Sequence, residues 1–155
     1  MRIRAFRPSD APALAILFHE AIHHIARHHY SDAQVRAWAP AVPSPERFTA
    51  WGCDGRLFLV AAGDQDEPLA FGDLEQDGHI DHLFCRADRA GTGVTVQLYD
   101  RLEEEARERR YGLLYVEASE PARRFFLRRG FRVDHRRDFL IDGVPIHNYR
   151  MEKRL

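Results

Sequence analysis

The sequence predicts an α/β (α+β) fold: one domain over residues 1–155, with a mixed, mostly antiparallel sheet of about seven strands flanked by helices. Three observations lead there. Residues 57–85 hold three strand-like runs separated by short polar turns. Two long stretches, one near the N-terminus and one after residue 93, repeat apolar residues every three or four positions. A glycine loop joins the third run to the second of these helices, and further strand and helix patterns follow it, which makes the sheet mixed.

In chain order, Arg2 to Phe6 alternates polar and apolar residues as a short strand does. Ser9 or Asp10 caps a helix with Pro12 in its first turn, and Leu14, Leu17, Phe18, Ala21, Ile22 and Ile25 form its apolar stripe. Ser31 followed by Gln34 is a capping-box pattern that starts a short helix through Trp38. Pro40 and Pro43 end it, and Ser44-Pro45 starts another. Strands follow at Leu57 to Ala62, Leu69 to Glu75 and His79 to Cys85. Val94, Leu98, Leu102 and Ala106 face inward on the long helix, which Gly112 stops. Leu113 to Ala118 is a strand, Pro121 to Arg129 a helix capped by Gly130, and Asp142-Gly143 turns a hairpin of Phe131 to Asp138 and Val144 to Met151.

Composition narrows the function. A formal net charge of -1 argues against a global field that draws the chain to nucleic acid or membrane. No apolar run is long enough to span a bilayer, and Met1 to Phe6 lacks the apolar block of a signal peptide. Cys53 and Cys85 are too few for a disulfide framework, so a reduced, cytoplasmic protein is expected.

One motif points elsewhere. His19-Glu20-Ala21-Ile22-His23 reads HExxH, with His29 where a third zinc ligand falls in the longer pattern. Against a zinc protease, Ala26 stands where that pattern requires a glycine turn. His19 and His23 lie opposite the apolar stripe, only one short strand precedes the helix, and no methionine turn follows. No metal is expected.

The stretch "HIDHLFCRADRAGTGVTVQLYDRLEEEA" is strand, glycine loop and helix, which leaves unpaired N–H groups at a helix N-terminus where anions are favoured. It lacks the Gly-Lys-Ser/Thr of a phosphate-binding P-loop and the third glycine of a dinucleotide fingerprint. Ala90-Gly91-Thr92-Gly93-Val94-Thr95 aligns with the glycine-loop motif of the GNAT N-acetyltransferases. "LYVEASEPARRFFLRRGFRV" is similar to that family's second motif, which ends in Phe-Tyr-x-x-x-Gly-Phe. "NYRMEKRL" resembles the last strand of its small stand-alone bacterial members.

The resemblance implies a V-shaped slot between splayed strands, binding acetyl-CoA. Backbone groups of Leu83, Phe84 and Cys85 pair with the pantetheine arm. The loop Ala90, Gly91, Thr92, Gly93, Val94 and Thr95 takes the pyrophosphate, and Ser119, Ala122, Phe125 and Phe126 border the other side. It also implies direct transfer of acetyl to a primary amine of a small molecule or peptide, by a monomer or homodimer that uses no nucleic acid and no membrane. Ala90 stands where Gln or Arg is usual and Thr95 where Gly or Ala is usual. Phe126 replaces a tyrosine general acid, and a phenyl ring cannot protonate a thiolate; a catalytically weak or inactive acyl-CoA-binding module is therefore the alternative.

The resemblance places the base on the strand before the loop, at the positions of His79 and Asp81, which share a face there with Leu83: Asp81 first, His79 second, Glu75 on the neighbouring strand in reserve. Tyr149 and Tyr30 are reserve acids, and Tyr30 and Trp38 fall in the region that shapes the acceptor pocket. One or two arginines among Arg123, Arg124, Arg128, Arg129, Arg132, Arg136 and Arg137 are expected at the 3′-phosphate of the cofactor.

Overall fold

The computed structural model describes residues 1–155, and its seven strands divide into two sheets. The first runs β1 (Arg2–Ala5), β2 (Leu57–Ala62), β3 (Pro68–Leu74) and β4 (Leu83–Cys85) in sequence order, each pair antiparallel. The second has the order β5-β7-β6, from β5 (Leu113–Ala118), β6 (Arg132–Ile141) and β7 (Val144–Arg154). Five helices join them: α1 (Ala11–Ile25), α2 (Asp32–Trp38), α3 (Pro45–Gly52), α4 (Val94–Glu108) and α5 (Glu120–Arg128).

The two sheets meet at one parallel bridge, His79 with Tyr115. There the Ile80 N–H donates to the Tyr115 carbonyl at 2.9 Å, and the Tyr115 N–H donates to the Gly78 carbonyl at 3.1 Å. Gly78 has to be glycine, because its φ is +92° and a Cβ would sit 2.1 Å from the Leu113 carbonyl oxygen. Beyond this point β4 and β5 share no pairing, and a wedge opens between them.

The third strand of the meander is shorter than its alternation suggests. Expected from His79, it begins at Leu83. The cause is Asp73, whose Oδ1 accepts the N–H groups of Asp81 (3.1 Å) and His82 (2.8 Å). A side chain thus takes the place of a ladder carbonyl, and residues 79–82 leave the regular strand.

One apolar core crosses both sheets and holds them at a fixed angle. Leu98, Leu102 and Ala106 of α4 pack with Leu114 and Val116 of β5 and Met151 of β7. Leu98 and Leu102 are fully buried, each worth about 1.5–3 kcal/mol. A second cluster seats α1 and α3 on β2 and β3 through Leu14, Leu17, Phe48 and Phe71. The Ser31 capping box forms as its sequence requires: Ser31 Oγ accepts from the Gln34 N–H, and Gln34 Oε1 accepts from the Ser31 N–H. It anchors α2 over the β6–β7 hairpin, where Gln34 donates to the Pro145 carbonyl at 2.9 Å. No helix is long and apolar enough to cross a membrane.

Candidate active site

The wedge between β4 and β5 contains a slot of about 460 Å³. Leu83, Phe84 and Cys85 form one wall, and Ser119, Ala122, Phe125 and Phe126 the other. On β4, the ladder to β3 engages His82 with Asp73 and Arg86 with Leu69. Alternation therefore turns the backbone groups of Leu83 and Cys85 towards the wedge.

Ala90, Gly91, Gly93 and Thr95 form the slot's mouth. Gly93 caps α4 in the left-handed region, φ +88°, and the first helical bond in this turn is Gln97 N–H to the Gly93 carbonyl at 3.1 Å. The amides of Val94, Thr95 and Val96 thus have no intrahelical partner. Nothing lies within 4 Å of where a Cβ would stand on Gly91 or Gly93, so a ligand can approach this backbone closely. Thr92 and Val94 turn away: the Thr92 hydroxyl donates to the Arg89 carbonyl at 2.6 Å, and Val94 is buried in the core. Among the arginines of the basic cluster, Arg128 borders the slot.

The slot runs into a second cavity of about 330 Å³, sharing Trp38, Leu83, Phe84, Ser119, Ala122 and Phe126 with it. Phe18, Tyr30 and Trp38 wall this cavity from the helical side, and Phe139, Ile141 and Ile146 from the β6–β7 hairpin. Asp81, His82, Glu117, Ser119, His147 and Asn148 are its polar lining.

Three charged groupings stand around it. On β5, Glu117 accepts from His79 Nε2 at 2.5 Å, while His79 Nδ1 lies 2.7 Å from Glu75 and the imidazole stacks on Tyr115. Burial alone would lower the His79 pKa, but the Glu117 and Glu75 carboxylates outweigh it and push the pKa up to about 9. His79 in turn holds the Glu117 carboxyl below the ordinary carboxylate value.

Asp73, fully buried, holds a second grouping. Its Oδ2 lies 2.8 Å from His82 Nδ1 and 2.7 Å from Arg56 Nη1. Burial opposes its ionisation, yet His82 and Arg56 prevail and its pKa is lowered. The same Arg56 nitrogen reaches Asp81 at 2.9 Å. Beside the hairpin, His147 Nε2 meets Glu120 at 2.6 Å.

The residues expected from sequence are distributed as follows. Asp81, Tyr30 and Trp38 line the second cavity, with Asp81 held by Arg56. His79 and Glu75 stand behind Glu117 and do not line it. Tyr149 does not line it either; Arg123 covers its ring at 4.7 Å, and a hydrogen bond to Glu120 raises its pKa. Phe126 is buried between both cavities. Glu117 was not foreseen. Its one sequence signal is a carboxylate inside an otherwise apolar strand, on the face opposite Leu114, Val116 and Ala118.

Tyr30 is buried, and its hydroxyl oxygen accepts the Glu120 N–H at 2.8 Å. Burial raises its pKa, so the phenol keeps its proton. Cys85, whose pKa burial also raises, is a packed thiol and not an activated nucleophile.

The HExxH helix forms, but its histidines form no metal cluster with an acidic partner. His23 Nε2 lies 2.7 Å from the Ala39 carbonyl, and His29 is exposed. The face opposite the apolar stripe is therefore partly covered by the turn after α2, not wholly solvated as its pattern suggests.

Two splayed sheets, a glycine loop opening a long helix and a slot between them define the fold of an acyl-group transferase. The family model "Acetyltransferase (GNAT) domain" matches residues 26–153, and this chain belongs to the GNAT acetyltransferase family. A crystal structure of a GCN5-related N-acetyltransferase from Rhodopseudomonas palustris, also described as a class-II aminotransferase, is 34% identical. It superposes with TM-score 0.90 over 99% of this chain and 95% of that one. A ribosomal-protein-alanine N-acetyltransferase from Brucella melitensis shares the fold at 21% identity and TM-score 0.78, over 100% of both chains. So does PaiA N-acetyltransferase from Thermoplasma acidophilum, solved with coenzyme A, at 17% identity and TM-score 0.80 over 99% and 98%. No curated protein sequence matches the chain.

Proposed function

We propose that this protein transfers acetyl from acetyl-CoA to the primary amine of a small molecule or peptide, by direct attack. The observation that carries this reading is the continuity of the two cavities: a backbone-lined slot opens into a cavity that bears a carboxylate. The slot fits the cofactor. The edge of Leu83, Phe84 and Cys85 would pair with the pantetheine amides. The loop from Ala90 through Gly91, Thr92, Gly93 and Val94 to Thr95 would receive the pyrophosphate on its open amides. Ser119, Ala122, Phe125 and Phe126 would close the far side, and Arg128 would meet the 3′-phosphate.

Bound acetyl-CoA supplies an activated thioester. The chain's own task is to move two protons. An alkylammonium has a pKa near ~10.4 and attacks only when neutral. Glu117 is the carboxylate positioned to take its proton, with His79 behind it as the reservoir. Glu75 accepts the His79 Nδ1 proton, which leaves Nε2 to exchange a proton with Glu117. His79, raised to about 9 by the two carboxylates, then holds or releases a proton close to the range of the amine it serves. Asp81, tied to Arg56, helps to hold the ammonium by charge. Phe126 cannot protonate the departing thiolate; the Tyr30 hydroxyl, whose one hydrogen bond is accepted from Glu120, has a proton to give.

Calorimetric titration with acetyl-CoA tests the reading, followed by an assay of free thiol across a panel of amines. Micromolar binding and amine-dependent thiol release are expected. No binding at millimolar cofactor would end the reading. Binding without turnover on any amine would make the chain a CoA-binding module.

A further inference from the structure

We infer that the acceptor is an apolar primary amine with no acidic group, an arylalkylamine or a medium-length alkylamine. The inference rests on the transferase reading above and names its substrate class.

No lysine or arginine lines the acceptor cavity. Its two imidazoles are already engaged, His82 by Asp73 and His147 by Glu120. No cationic side chain lines the cavity to neutralise a substrate carboxylate or phosphate; Ser119, Asn148 and Tyr30 offer only uncharged donors, and burying a charge without a counter-charge costs several kcal/mol. Amino acids, amino sugar phosphates and acidic peptides are thereby disfavoured. An ammonium, in contrast, meets two lining carboxylates, Glu117 and Asp81, whose partners His79 and Arg56 lie outside the cavity lining.

The rest of the lining is mostly apolar and aromatic, with Phe18, Trp38, Phe139, Ile141 and Ile146, and with His147 and Asn148 beside the hairpin residues. They offer no acid to a second or third ammonium, so a polyamine would bury charge without a partner. They also offer few groups for the amides of a peptide. A volume of about 330 Å³ lies at the small end for ligand sites, suited to one ring or a short chain beside the acetyl group.

The test compares 2-phenylethylamine, hexylamine, phenylalanine, spermidine and a tripeptide with a free N-terminus, all with acetyl-CoA and free-thiol detection. Calorimetry of each amine into the protein saturated with CoA supplies a readout independent of turnover. The kcat/KM for 2-phenylethylamine should exceed that for phenylalanine and for spermidine by about 100-fold or more. Phe139→Ala and Ile146→Ala, at the wall remote from the slot, should each weaken 2-phenylethylamine binding by about 10-fold while the Kd for CoA is unchanged.

Equal or better turnover of phenylalanine, spermidine or the tripeptide overturns the acceptor class and leaves the transferase reading intact. Turnover of none of the five, with cofactor bound and another amine of the wider panel turned over, also overturns it, whereas turnover of no amine at all removes the transferase reading. Failure of acetyl-CoA to bind likewise removes the transferase reading itself.

Discussion

The cofactor slot and the acceptor cavity share six residues but are built from different materials. The slot's recognition groups are main-chain: the free edge of β4 and the amides that open α4. The acceptor cavity works through side chains drawn from α1, α2, β5 and the β6–β7 hairpin, together with the turns beside them. Backbone recognition depends on conformation and tolerates drift in side-chain identity, so Ala90 and Thr95 can depart from the family pattern while the loop stays open. Side-chain recognition tolerates little, so substitutions at the acceptor end should change which amine is accepted.

That contrast can be broken in graded steps. Glu117→Gln should cost the most, lowering kcat/KM by about 10²–10⁴ without changing the Kd for acetyl-CoA. Loss of cofactor affinity instead would place Glu117 in the slot. Tyr30→Phe should lower kcat by about 10²-fold and leave the amine KM near its starting value; an unchanged kcat would mean that water protonates the thiolate. Gly93→Val should act on the other side of the divide, weakening acetyl-CoA binding by about 10–100-fold with the fold retained. The φ of +88° makes any β-branched residue strained there, although no neighbour would be struck.

The smallest effect concerns pH. With His79 raised to about 9, activity should climb as pH rises through that value, because the Glu117–His79 pair must be free to accept a proton. Glu75→Gln removes one of the carboxylates that raise it, and should move this limb about one unit to lower pH. Stability runs the other way. A raised folded pKa adds stability that is complete below the ordinary value of 6.5 and is lost as pH rises through about 9. Glu117, lowered, contributes above its ordinary value and loses this as pH falls through the lower folded one. Urea midpoints should therefore be highest between about pH 5 and 6.5, and His79→Gln should flatten the alkaline fall.

Much of the fold, and the glycine loop at the slot's mouth, was legible because local rules produce it. The Ser31–Gln34 capping box, the run of residues 57–62 and the Gly91–Gly93 loop each act within a few residues, and all form where the sequence places them. The beginning of β4 was not legible. Residues 79–82 alternate like a strand, but the Asp73 carboxylate captures two of their amides, which requires knowing that Asp73 lies opposite. His79 on the same strand face as Asp81 suggested a base at the cavity; the irregular backbone instead turns it to the rear of Glu117. Glu117 itself could not be singled out, because its partner is 38 positions away across the one bridge between the sheets. Tyr30, named from the sequence as a reserve acid, is placed by its hydroxyl accepting the Glu120 N–H, a contact 90 positions away that the sequence does not show.

A crystal structure with coenzyme A bound tests the central claim most directly. The expected result is a pantetheine arm lying against Leu83 and Cys85, with its thiol where the two cavities join, between Phe84 and Ser119. Coenzyme A found anywhere else, or β4 and β5 paired along their whole length, would contradict it.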